Sequence, residues 1–249
     1  MRPVADMLTA VRLLTVVPVG RREGEHPARY FPLVGWLFGA LAAGIASGAV
    51  ALDSADGLGA LLTAGVIVTA WALLSGFLHL DGLADSADSI GVPGDAGRRL
   101  EVMRDSSIGA FGVVAIALTL VLQVAAIAMI VESRSWWALA AAPVLGRFGA
   151  AAALLWRQPA SPHGLAARYA EKPVAVTVLA MLVPLAALLV VPPDAGRTAV
   201  VAAGVVFALL APGPFARRLG GITGDALGAT IVLTETAVLV ACAIAGGLT

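Results

Sequence analysis

The chain is 249 residues long, 59% hydrophobic and 13% charged, with a mean hydropathy of +0.93 and a formal net charge of zero. A soluble domain carries about a quarter charged residues; here too few polar groups remain to coat a globule, so lipid must solvate much of the surface. The balanced charge and the lack of any basic run argue against a nucleic-acid partner.

The first element expected is an amphipathic helix over residues 1–17. Val4, Met7, Leu8, Val11 and Leu14 recur at helical spacing with Arg2 and Arg12 among them, which suits a helix lying on the membrane surface, and Pro18 ends it. The first 30 residues hold five Arg and no long apolar core, so a signal peptide is not expected. Two apolar stretches follow, 33–52 and 57–78, each near the roughly 20 residues that a bilayer core of about 30 Å requires.

Directly after the second stretch comes His79-Leu-Asp81-Gly-Leu-Ala-Asp85-Ser-Ala-Asp88. On a helix Asp81, Asp85 and Asp88 fall within an arc of about 60°. Three carboxylates on one stripe repel one another, and beside a membrane span they are costlier still. A divalent cation relieves both penalties, and hard oxygen donors select Mg²⁺, Mn²⁺ or Ca²⁺ over Zn²⁺. His79 points away from the stripe. Next, Glu101-Val-Met-Arg104-Asp105 places Glu101 and Asp105 on one face with Arg104 beside them, and an Arg fork suits phosphate oxygens.

Apolar stretches 110–131, 136–156, 174–191 and 198–215 come next, with Trp136, Trp137 and Trp156 at interfacial ends. Arg147 lies inside the second of these and needs an acidic partner. The segment 220–228, Gly-Gly-Ile-Thr-Gly-Asp-Ala-Leu-Gly, follows Arg217 and Arg218. Its glycines allow backbone N–H groups to approach an anion at a helix start, with Asp225 as a further metal ligand. The last stretch, 229–248, carries Glu235 within its apolar run and the single cysteine, Cys242, read as a small buried hydrophobe. His26 and His163 read as solvated loop residues, and Ser86, Ser106 and Ser107 lack a histidine base to make them nucleophiles.

With seven spans, thirteen Arg and Lys fall in the loops on one side and two on the other. The positive-inside bias puts the N-terminus and the Asp-rich loop in the cytoplasm and the C-terminus outside. The expectation is an all-α polytopic transmembrane helix bundle of about seven spans, with an N-terminal amphipathic interfacial helix and one integral membrane domain over 1–249.

Four ordered motifs resemble the cobalamin synthase (adenosylcobinamide-GDP ribazoletransferase) family: Phe31-Pro-Leu-Val-Gly35, the run His79 to Asp88, Met103-Arg-Asp-Ser-x-Ile-Gly-x-Phe-Gly112, and Gly220-Gly-Ile-Thr-Gly-Asp225 through Glu235. The likeness runs from about residue 5 to 240, with Ser86 where the family usually has Thr. It implies a Mg²⁺-dependent enzyme of the bacterial inner membrane that joins adenosylcobinamide-GDP to α-ribazole or its 5′-phosphate and releases GMP, with its site facing the cytoplasm. On that basis Asp81, Asp85, Arg104 and Asp105 are expected to act in catalysis, and Asp81, Asp85, Asp88 and Asp225 to hold metal. Arg104, Gly220, Gly221, Thr223 and Gly224 are expected to hold phosphates, with His79, Glu101 and Glu235 supporting them. Homo-oligomerisation is left open. Two other readings are a CDP-alcohol phosphotransferase-like enzyme, whose later Gly and Asp pattern is missing here, and a secondary transporter, which would place its charges nearer the midplane.

Overall fold

The structure is a computed structural model that describes residues 2–20, 23–104, 107–170, 174–190 and 195–246. Among these the chain forms helices and no named strands: α1 (Arg2–Leu14), a 3₁₀ turn (Pro27–Tyr30), α2 (Phe31–Ala51), α3 (Leu58–Leu74), α4 (Leu78–Gly91), α5 (Ala96–Val102) and α6 (Ala110–Glu132). They continue with α7 (Trp136–Trp156), α8 (Leu165–Arg168), α9 (Ala175–Ala187), α10 (Ala195–Leu210), α11 (Pro212–Leu219) and α12 (Gly224–Gly246).

The bundle is organised around α7, among the described residues the one candidate span wholly enclosed by protein. Its alanines and glycines make this possible. A Cβ on Gly35 or Gly39 of α2 would lie 2.6 or 2.7 Å from the α7 backbone, and one on Gly146 or Gly149 of α7 would lie 2.9 or 3.0 Å from carbonyl oxygens of α12 or α10. In lipid, where no hydrophobic force joins helices, close backbone approach of this kind supplies the packing. Large apolar side chains such as Leu62, Val66, Leu118 and Val121 on α3 and α6 stay exposed and face outward, as a lipid-solvated surface demands.

Among the described residues, five helical segments are long and apolar enough to cross a bilayer, or six when α3 and α4, bent by 87° at their junction, count as one. The fifth expected span, 174–191, yields only the 13-residue α9. Its end tightens into short-range turns, with Leu188 N–H donating to Leu185 O (3.0 Å) and Leu189 N–H to Ala186 O (2.9 Å). At 1.5 Å per residue α9 covers about 20 Å. It nevertheless runs along α2, where Trp36 Nε1 donates to the Pro184 carbonyl (3.1 Å), and brings Ala187 and Leu188 to the end of the bundle that holds Trp137 and Arg197.

The second span also ends earlier than expected, at Leu74. Gly76 (φ 60°) and Phe77 (φ 63°) take left-handed backbone and turn the chain sharply into α4. The N-terminal helix forms, but it buries polar residues as well as apolar ones. Asp6 accepts from His26 N–H (3.0 Å) and pairs with Arg29, and Thr9 Oγ1 accepts from Gly24 N–H (2.9 Å). Residues 24–29 thus fasten α1 to the start of α2.

Candidate active site

The Asp-rich helix α4 is held against α12 by glycine. A Cβ on Gly82 would fall 2.7 Å from the Asp225 carbonyl oxygen, and one on Gly228 would fall 3.3 Å from the His79 Cα. The two backbones nearly touch, which only residues without side chains permit. Since Asp225 lies in the first turn of α12, α4 is kept at that end of the bundle, beyond the membrane-crossing limb α3. The contact sets Asp81 and Asp85, on either side of Gly82, within electrostatic reach of Asp225. Asp81 is exposed; Asp85 and Asp225 are half-buried. Burial first, and then the carboxylates of Asp81, Asp225 and Asp88, push the Asp85 carboxyl up to about 6. Among the described residues no three His, Cys, Asp or Glu side chains form a ready-made metal cage.

Asp88 does something different from its two companions. Its oxygens accept from Gly109 N–H (2.7 Å) and Gly112 N–H (2.9 Å), at the N-cap and third position of α6. Gly109 has no side chain to cap that helix, so Asp88 satisfies its orphan donors from another element. A Cβ on either glycine would come within 2.4 or 2.5 Å of the carboxylate, which explains both glycines. At the far end of α4, Arg99 donates to the Ser89 and Ile90 carbonyls (both 2.8 Å) and Arg218 to Ile90 O (3.3 Å), positive charge where a helix C-terminus favours it. Neither the Asp88 clasp nor these arginine caps is visible in sequence spacing.

The glycine-rich segment is a tethered turn. Gly220 (φ 74°) ends α11 in left-handed backbone, and a Cβ on Gly221 would lie 2.5 Å from Ala160 N. Ala160 N–H donates to Ile222 O (2.9 Å) and Ile222 N–H to Gln158 O (2.8 Å). Thr223 Oγ1 then accepts from Ala226 N–H (3.1 Å), capping α12. Gly220 and Gly221 therefore have conformational reasons to be glycine that need no anion.

A cavity of about 370 Å³ opens beside this turn, and His79, Arg104, Thr223, Gly224 and Asp225 all line it. Three motifs far apart in sequence thus meet at one space. His163 and Ser161 also line it, although the sequence marks His163 only as a loop residue; the sole hint was that its loop falls on the same side as the aspartates. Asp105 lies outside the described residues. Glu101 is exposed and pairs with Arg98 (3.1 Å). Glu235, ten residues and so about 15 Å along α12 from Asp225, is the acidic partner that Arg147 required. Arg147 also donates to Pro143 O (3.1 Å) and stacks 3.6 Å over the Phe38 ring.

The family described as Cobalamin-5-phosphate synthase matches residues 6–243 of this chain. A protein of Stutzerimonas stutzeri (strain A1501) named adenosylcobinamide-GDP ribazoletransferase is 38% identical over 97% of this chain and 98% of its own length. Proteins of the same name from Pseudomonas putida (strain GB-1) and Corynebacterium efficiens are 38% and 35% identical, each over 95% of this chain and over 98% and 90% of their own lengths. No solved structure matches the chain. A full-length match of this kind, on a helical membrane bundle whose motif residues converge on one cavity, leaves a single assignment: the chain belongs to the cobalamin-5-phosphate synthase family.

Proposed function

We propose that this protein is a Mg²⁺-dependent transferase of the bacterial inner membrane that joins adenosylcobinamide-GDP to α-ribazole or α-ribazole 5′-phosphate. A ribose hydroxyl attacks the phosphorus that bears the corrinoid. The new P–O bond forms as the pyrophosphate bond breaks, GMP leaves, and the hydroxyl proton passes to a nearby base. The observation that carries this reading is the meeting of Arg104, Thr223 and Asp225 at one cavity, beside the α4 carboxylates.

The donor chemistry, and not a ready-made cage, is what favours a hard divalent cation here. Asp81, Asp85 and Asp225 offer carboxylate oxygens from two helices locked together by Gly82, and Asp85, whose carboxyl burial and like charges hold up, is a group that a nearby cation would stabilise in its charged form. When bound, such an ion supplies positive charge to the pyrophosphate oxygens in the transition state. The chain's own groups do the rest. Arg104 holds a phosphate through its guanidinium fork, the first turn of α12 presents backbone N–H groups, and the apolar walls limit water. Asp88 belongs to this reading as the anchor between α4 and α6, each of its oxygens accepting from a backbone N–H. The arginine-rich loops on the same end as α4 support a cytoplasmic site and a cytoplasmic N-terminus.

The test is GMP release by purified, detergent-solubilised protein given adenosylcobinamide-GDP and α-ribazole, with and without EDTA. Release that EDTA abolishes and Mg²⁺ restores is the expected result; EDTA-insensitive release would remove the metal, and no release would remove the reaction.

A further inference from the structure

The 370 Å³ cavity is graded from end to end. Phe31, Leu14, Ala150, Leu227 and Ile231 form its inner wall, and each is at most 5% exposed. Arg104 and His163 are exposed at its rim, with Ser161, Thr223 and Asp225 half-buried beside them. His79, 5% exposed, is the one buried polar side chain in the wall, and its Nε2 has no partner among the described residues. The volume lies at the small end of the range of about 300–1,000 Å³ typical of ligand cavities.

We infer that this cavity is the acceptor subsite: it takes the flat azole base of the nucleoside inward, with the ribose at the rim beside Asp225. The inference rests on the proposed reaction, which brings three bulky groups to the site. A corrin ring with its amide side chains exceeds the cavity. Guanine would bury a carbonyl, an amine, a ring N–H and two bare ring nitrogens against Leu, Ile, Phe and Ala, and burying polar groups without partners is costly. An azole base presents apolar faces and a single free ring nitrogen, so it sets far fewer polar atoms against these walls than guanine does. The ribose hydroxyls then meet the polar rim, next to the carboxylates and Arg104, where the phosphorus must arrive. The corrinoid and the guanine remain outside, on the open face of the bundle end. Base size is therefore set by Phe31 and Ala150, neither of which touches the reacting atoms.

The test varies the wall and follows each substrate separately, using α-ribazole, analogues of it with larger and smaller bases, and adenosylcobinamide-GDP. Ala150→Leu fills the inner end and is expected to raise KM for α-ribazole about tenfold or more while the donor's KM stays within about twofold. Phe31→Leu opens the wall, and its preference is expected to shift toward the analogue with the larger base. Equal effects on both substrates, or unchanged base preference in both variants, would overturn the assignment. Titration calorimetry of α-ribazole alone into the solubilised protein separates this from the reaction. Binding that Ala150→Leu abolishes would keep the subsite even if no GMP were released, whereas wild-type turnover with unaltered variant kinetics would keep the reaction and remove the subsite.

Discussion

Asp81 and Asp88 stand two turns apart on the same helix, yet their surroundings give them opposite work. Asp81 is exposed and faces the carboxylate cluster, so Asp81→Asn is expected to abolish GMP release while leaving thermal unfolding in detergent unchanged. Asp88 caps α6, and an Asn there would turn an amide N–H₂ toward a backbone donor. Asp88→Asn is expected to cost about 1–3 kcal/mol in the same unfolding measurement, with turnover falling as α4 loosens. The helical period placed the three aspartates on one stripe and stopped there. Which of them would be claimed by backbone donors depended on α6 arriving from 21 residues downstream, a fact of tertiary packing. Arg147 was more legible, because a charge inside an apolar run demands a counter-charge, and Glu235 was the other ionisable group inside a span. Removing one partner of this buried pair is expected to cost about 3–5 kcal/mol, whereas Arg147→Met with Glu235→Gln together should recover much of it; unfolding of the two single variants and the double variant measures this.

At the scale of elements, the α4–α12 crossing is the joint on which the site depends. Gly82→Ala removes no carboxylate but puts a methyl 2.7 Å from the Asp225 carbonyl, so the helices and the carboxylates on them must move apart. Turnover is expected to fall on the order of a hundredfold from this displacement alone, read as kcat in the GMP assay. An unchanged kcat would mean the joint tolerates slack. Hydropathy located the apolar helices among the described residues but misjudged where several of them end, α10 closing at Leu210 within the run 198–215. The run 57–78 stays apolar past Leu74, so nothing in its composition announced the left-handed residues Gly76 and Phe77 that turn it by 87°. In the same way 174–191 stays apolar while its helix closes at Ala187. Backbone geometry ended these helices, and average hydropathy does not report it.

Over the whole molecule, the loops sort into two ends as the arginine distribution implied. Glu132 accepts from Gly57 N–H (2.9 Å) and Gly246 lies beside Ser133 and Ser135, so the 53–57 and 132–135 turns and the end of α12 share one end. Gln158 and Ala160 join Ile222 at the other, where Glu23 also binds Arg12, Arg168 and the Tyr169 hydroxyl. In a Cys242→Ser background, Asp56→Cys is expected to react with an impermeant maleimide added outside cells, and Arg98→Cys only after permeabilisation; the reverse pattern would invert the topology. The enclosed position of α7 has a consequence for biosynthesis. Arg147 is synthesised 88 residues before Glu235, so for part of translation its guanidinium has no carboxylate to neutralise it. The central helix can settle only once the last one is synthesised, and a ribosome that stalls short of α12 leaves a nascent chain whose middle is unfit for lipid and open to quality-control proteolysis.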